Sequence, residues 1–168
     1  MAGCRSKSGF KVEAQMKQRH MIVPAVYLLI EIDHRILMLR RRNTGYMDGQ
    51  YSLVAGHLDG GESLSNAIIR EAREEVGIDV DPASLTLVHV MHTPPEPGDP
   101  TSEERIDFYF RATRFNGFIQ NCEPEKCDDI AWFDLSNLPK NTVPRVREAL
   151  AGIIVERPIS ELYWSPRP

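Results

Sequence analysis

Residues 56–78 read GHLDGGESLSNAIIREAREEVGI, and they constrain what the chain can fold into more than any other stretch. From Ser63 to Val76 there is no glycine or proline, helix formers dominate, and Gly77 stands where a helix stops. The pattern predicts a helix of about four turns. At about 100° per residue, Leu64, Ile68, Ala72 and Val76 form one apolar stripe, and Glu71, Glu74 and Glu75 fall within an arc of roughly 100° beside it. Carboxylates crowded at the margin of a buried surface repel one another, by a few tenths of a kcal/mol each in water and by more when partly buried. Two arrangements offset that repulsion. Arg70 and Arg73 can neutralise a solvated acidic face, the ordinary fate of a charge run. Alternatively the face holds a divalent cation, and Mg²⁺ takes hard oxygen ligands of this kind.

The chain has 168 residues, enough for one domain, and its 42% hydrophobic and 26% charged residues are ordinary globular usage. Twenty Lys and Arg against twenty-four Asp and Glu leave a net charge of −4, so neither a nucleic-acid partner nor a membrane partner is expected. An anionic ligand must be met locally. Cys4, Cys122 and Cys127 are an odd set, and a lone C-x4-C pair lacks the second pair of a structural zinc site. Residues 1–20 are basic and polar, without the apolar core of a signal peptide, and read as a flexible lead-in. No apolar run reaches the roughly 20 residues of a membrane span, and a cytoplasmic location is expected.

Residues 21–156 read as the domain and 157–168 as a C-terminal tail, irregular or packed over an edge. IVPAVYLLIEID and RILMLRRR predict a hairpin turning at DHR; QYSLVAG, SLTLVHVMH, RIDFYFRA and IAWFDL predict further strands. TVPRVREALAGIIVE carries Val143, Val146, Leu150 and Ile153 or Ile154 at helical spacing, with Pro144 tolerated in the first turn. Strands on both sides of a central helix, with a second helix at the end, imply a mixed sheet covered by helices, an α/β fold.

The segment matches GX5EX7REUXEEXGU, with U aliphatic, at Gly56, Glu62, Arg70, Glu71, Ala72, Glu74, Glu75, Gly77 and Ile78. It resembles the Nudix hydrolase superfamily, and the MutT-like members in particular. The resemblance implies an α/β/α sandwich with a mixed β-sheet that hydrolyses a nucleoside diphosphate linked to another moiety. It also implies Mg²⁺, with Mn²⁺ as the alternative ion, a small-molecule nucleotide as partner, and leaves a homodimer open. Glu71, Glu74 and Glu75 match the family's metal-binding and catalytic glutamates, Arg70 the arginine that orients them, and Glu62 the glutamate that pairs with it. Gly56 and Gly77 match the turn glycines, and the carbonyl of Ala55 matches one that joins the metal shell. Glu123, in NCEPEKCDDIAWFDLSNLP, matches a glutamate that approaches the metals from a neighbouring loop.

Substrate residues are carried by weaker marks. Arg41 lies fifteen residues before Gly56, matching a substrate-binding arginine of MutT-like members, and Arg40 ends the same strand. Guanidinium forks suit phosphate oxygens. Asp128 and Asp129 are candidates to receive donors from a base edge. The SQPWPFPxS run of NADH pyrophosphatases and the LLTxxS pattern of coenzyme A members are both absent. The EPEK to WF segment favours nucleoside triphosphates, cleaved to a monophosphate and pyrophosphate. Pro94 falls where ADP-ribose pyrophosphatases carry a proline, which makes ADP-ribose or another nucleoside-diphosphate sugar the alternative substrate. A nucleotide-binding module without turnover is the other alternative.

Overall fold

The structure is a computed structural model in which residues 19–96 and 102–164 are described. Most of the expected lead-in, the middle of the proline loop and the last four residues of the tail lie outside that range. The hairpin forms as expected from β1 (Val23–Ile32) and β2 (Arg35–Arg41), and the two residues between them, Asp33 and His34, both take positive φ, 51° and 61°. That is the turn conformation matching the twist of paired strands. There follow β3 (Tyr51–Ser52), β4 (Val54–His57), α1 (Leu64–Val76), β5 (Asp79–Val80), β6 (Leu85–Thr93) and β7 (Arg105–Ala112). The chain continues with β8 (Phe115–Asn116), β9 (Cys127–Asp134), α2 (Pro144–Ile154) and β10 (Ile159–Glu161).

The main sheet runs β10-β6-β7-β1-β2-β3, with β4 also on β1 and β9 on β2. It is mixed, because β1 is antiparallel to β2 and β4 but parallel to β7. Strand β1 is covered on both faces, which explains its unbroken apolar run. Val26, Leu28 and Ile30 pack with Ala67, Ile68, Ala72 and Val76 of α1, whereas Ala25, Tyr27 and Leu29 pack with Val146, Ala149, Leu150 and Ile153 of α2. Each large aliphatic side chain so buried contributes roughly 1.5–3 kcal/mol. The result is an α/β/α sandwich.

Two elements differ from expectation. β9 begins at Cys127, three residues before IAWFDL, because Arg41 still pairs with Cys127 beyond a bulge at Arg40/Arg41. The described part of the tail packs over the sheet edge, one of the two forms expected, but does so as a strand: Ile159–Glu161 adds a parallel strand to β6, and the backbone carbonyl of Arg157 is held 2.7 Å from His89 Nδ1.

Candidate active site

Helix α1 is fixed at both ends. Ser63 Oγ accepts from the Asn66 N–H at 3.2 Å, and Gly77, at φ 72°, donates to the Arg73 carbonyl while Ile78 donates to that of Ala72. A left-handed residue is needed there, which is why glycine ends the helix. The loop after β8 is clamped to the same end, with Gln120 N–H on the Val76 carbonyl and Cys122 N–H on that of Glu75 at 3.0 Å. These contacts bring Glu123 to the face carrying Glu71, Glu74 and Glu75.

Together with Ala55, Gly56 and His57 of β4, those glutamates line one cleft of about 530 Å³. It crosses the strand ends from Arg105 on β7, past Ala25 and Tyr27 on β1, to Cys127 on β9. Arg70 organises the carboxylates: its Nη1 donates to Glu71 at 2.7 Å and Glu74 at 3.2 Å, and its Nη2 to Glu62 at 2.9 Å. Glu62 in turn accepts the Asp59 N–H at 2.7 Å, which closes the loop before the helix. Hydrogen bonds from Arg70 hold the Glu62 carboxyl below its usual range and raise Arg70 itself. Gly56 sits inside β4 rather than in a turn, and its role is proximity, since a Cβ there would lie 2.0 Å from Glu71 Oε1.

Burial acts in the opposite direction on the deeper acids. Desolvation pushes Glu71 up, and pushes Glu75 to about 8, against the Ala55 N–H that donates to Glu75 Oε2 at 3.1 Å. Such acids are costly to ionise without a cation. Among the described residues no three of them converge at ligand distance. Glu71 and Glu74 are turned onto Arg70, Glu75 onto Ala55, and Glu123 onto Lys126 Nζ at 2.7 Å. The donor set is nonetheless all hard oxygen in a partly buried cleft, which fits Mg²⁺ or Mn²⁺ once these side chains rotate.

Arg40 and Arg41 also line the cleft, but both are engaged. Arg40 Nε donates to Asp128 at 2.6 Å, and Arg41 holds the Tyr46 carbonyl at 2.7 Å and Thr44 Oγ1 at 2.9 Å. Asp128 and Asp129 are not among the lining residues, and Asp129 accepts the Tyr51 hydroxyl. Cys122 and Cys127 are both free thiols.

Several further residues line the cleft beyond those the sequence marks. Tyr46 comes from the loop after β2, with the guanidinium carbons of Arg41 and Arg145 5.4 and 5.3 Å from its ring centre. Tyr27 is stacked on Tyr109, and Arg105 donates to Tyr27 Oη at 3.3 Å and to the fully buried Asp107 at 2.8 Å. Lys126 closes the β9 side. The alternation in RID, which puts Arg105 and Asp107 on one face, was the available signal for that pair.

A family model described as NUDIX domain matches residues 20–153. An ADP-ribose pyrophosphatase of Methanocaldococcus jannaschii is 31% identical over 137 residues, covering 80% of this chain and 76% of its own. An NAD-capped RNA hydrolase NudC of Stutzerimonas stutzeri is 28% identical over 145 residues, 86% of this chain but 47% of its own. The chain thus spans about half the length of that relative. In structure, a MutT NUDIX hydrolase of Burkholderia pseudomallei superimposes with a TM-score of 0.69 at 26% identity, over 79% of this chain and 98% of its own. With the family motif intact around α1 and the match running from before β1 into α2, the chain belongs to the Nudix hydrolase family.

Proposed function

We propose that the protein hydrolyses the diphosphate bridge of a nucleoside triphosphate, releasing a nucleoside monophosphate and pyrophosphate, with Mg²⁺ held by Glu71, Glu74, Glu75, Glu123 and the carbonyl of Ala55. The ion, when bound, neutralises the phosphate oxygens and lowers the pKa of a bound water. Arg70 keeps the helix carboxylates on the cleft side, and a glutamate beside the ion accepts the proton as the water oxygen bonds to phosphorus and the bridging P–O bond breaks. The asymmetry of the cleft carries the reading. Its β7 side offers Tyr27 and Arg105, with Tyr46 reaching toward Arg145, whereas its β9 side offers Glu123 and Lys126 and, among the described residues, no ring. One aromatic side and one charged side suit one base and a phosphate tail better than two bases.

ADP-ribose is the second reading. It is supported by the 31% identical relative, and by the place of Pro94 just before Glu96, which accepts from Tyr46 Oη at 3.4 Å and Arg145 Nη2 at 3.0 Å beside the cleft. A chromatographic panel with Mg²⁺ separates the readings. Triphosphates should exceed ADP-ribose in kcat/KM; the reverse order replaces the first reading with the second, and no turnover of any nucleotide leaves a binding module.

A further inference from the structure

Among the described residues four cations line the cleft: Arg40, Arg41, Arg105 and Lys126. Three are tied to protein groups with no place among the proposed metal ligands, namely Asp128, the Tyr46 carbonyl with Thr44, and Asp107. Lys126 alone is held by a carboxylate that is itself a prospective ligand, Glu123, at 2.7 Å. Its backbone is fixed on two sides, by the Lys126 N–H on the Glu123 carbonyl and by the Arg42 N–H on its own carbonyl at 2.8 Å. The side chain is 60% exposed, and among the described residues its one partner beyond that fixed base is Glu123. An ammonium in this setting is a movable point charge, unlike the forked and stacked arginines around it.

We propose that Lys126 is an exchange residue that recognises the leaving group: it neutralises Glu123 in the metal-free chain, and when a divalent ion takes Glu123 its ammonium is released to the terminal phosphates of the substrate, and so to inorganic pyrophosphate. The inference rests on the triphosphate reading and deepens it by naming the group that the β9 side of the cleft binds. It requires opposite changes from one substitution. Losing the ammonium removes a competitor for Glu123, which strengthens metal binding, and removes a phosphate contact, which weakens pyrophosphate binding. A lysine that only shaped the loop would not split the two.

The test uses Lys126→Met and, as the conservative variant, Lys126→Arg. Mn²⁺ alone is titrated while the thermal midpoint is followed, and inorganic pyrophosphate is then titrated as an inhibitor at saturating Mg²⁺. Lys126→Met should reach its full Mn²⁺ shift at several-fold lower concentration and lose roughly tenfold in pyrophosphate affinity, about 1.4 kcal/mol, with Lys126→Arg close to wild type in the second measurement. Both affinities unchanged, or both moved in the same direction, would overturn the proposal. If the wild type prefers ADP-ribose to every triphosphate, the triphosphate reading fails by itself, whatever the two titrations give. Weak pyrophosphate binding by a wild type that does cleave triphosphates overturns the exchange and leaves that reading in place.

Discussion

Replacing Gly56 with alanine should cost activity far more than stability. The new methyl would stand 2.0 Å from Glu71 Oε1 and 2.1 Å from its carboxyl carbon, where an ordinary contact is about 3.5 Å. The carboxyl group must therefore retreat by more than 1 Å, on the order of the displacement that costs about 10²-fold in a positioned reaction. Retreat also disturbs the 2.7 Å hydrogen bond from Arg70, a charge-assisted contact of about 1.5–3 kcal/mol, here reduced because the Arg70 side chain is 27% exposed. Against that loss, Gly→Ala at a residue without positive φ restricts the unfolded chain and returns about 0.4–1 kcal/mol. The net destabilisation should be on the order of 1 kcal/mol, a few degrees in thermal midpoint. Turnover at saturating Mg²⁺ should fall by about two orders of magnitude. An alanine variant within threefold of wild type would show that Glu71 does not need its place against β4.

Other expectations follow from the same geometry. Glu74→Gln should lose most turnover while shifting stability by no more than about 0.5 kcal/mol, since its contact with Arg70 is a half-exposed i,i+4 pair; near-normal turnover would remove Glu74 from the site. Glu75 is raised to about 8, so the metal-free fold retains the proton that the unfolded chain gives up near 4.5. That contribution is complete below about pH 4.5 and is lost as pH rises through about 8. Thermal midpoints of metal-free protein should fall across that window, and Glu75→Gln should flatten the slope. Saturating Mg²⁺ should raise the midpoint, by about 2.7 kcal/mol at a hundredfold excess over Kd, and Ca²⁺ should bind with little turnover. If neither ion shifts the melt and chelation leaves hydrolysis intact, the carboxylates hold no metal. Arg41→Ala should loosen the loop it ties through Tyr46 and Thr44, seen as faster amide exchange over residues 43–50; unchanged exchange would free Arg41 for a substrate role alone.

The sandwich and the acidic face were legible because both rest on periodicity. The unbroken apolar run of β1 states that both its faces are buried, the helical stripe of α1 states which side packs on the sheet, and Glu71, Glu74 and Glu75 follow from that stripe by rotation alone. Lys126 and Tyr46 were not legible, because what brings them to the cleft is a loop clamp on α1 and a set of backbone contacts on β2, neither of which has a period. Asp129 illustrates the reverse case. The sequence offers it as a partner for a base edge, whereas in the structure its carboxylate accepts the Tyr51 hydroxyl and the residue is not among those lining the cleft. The edge strand β10 escaped notice because three residues, with Pro158 just before them, are too few to alternate.

The pairing of β1 with β7 joins residues roughly eighty positions apart, and that of β2 with β9 spans a similar distance. Both pairings border the cleft, so its two walls come together only after most of the chain is available. Loop closure of that size precedes any reward from contact, which slows the folding of such a domain relative to one built from local contacts. A nascent chain that has made α1 and stopped therefore carries the whole acidic motif with no opposing wall. A mutation that weakens β9 docking should therefore lower activity without altering any residue of the motif.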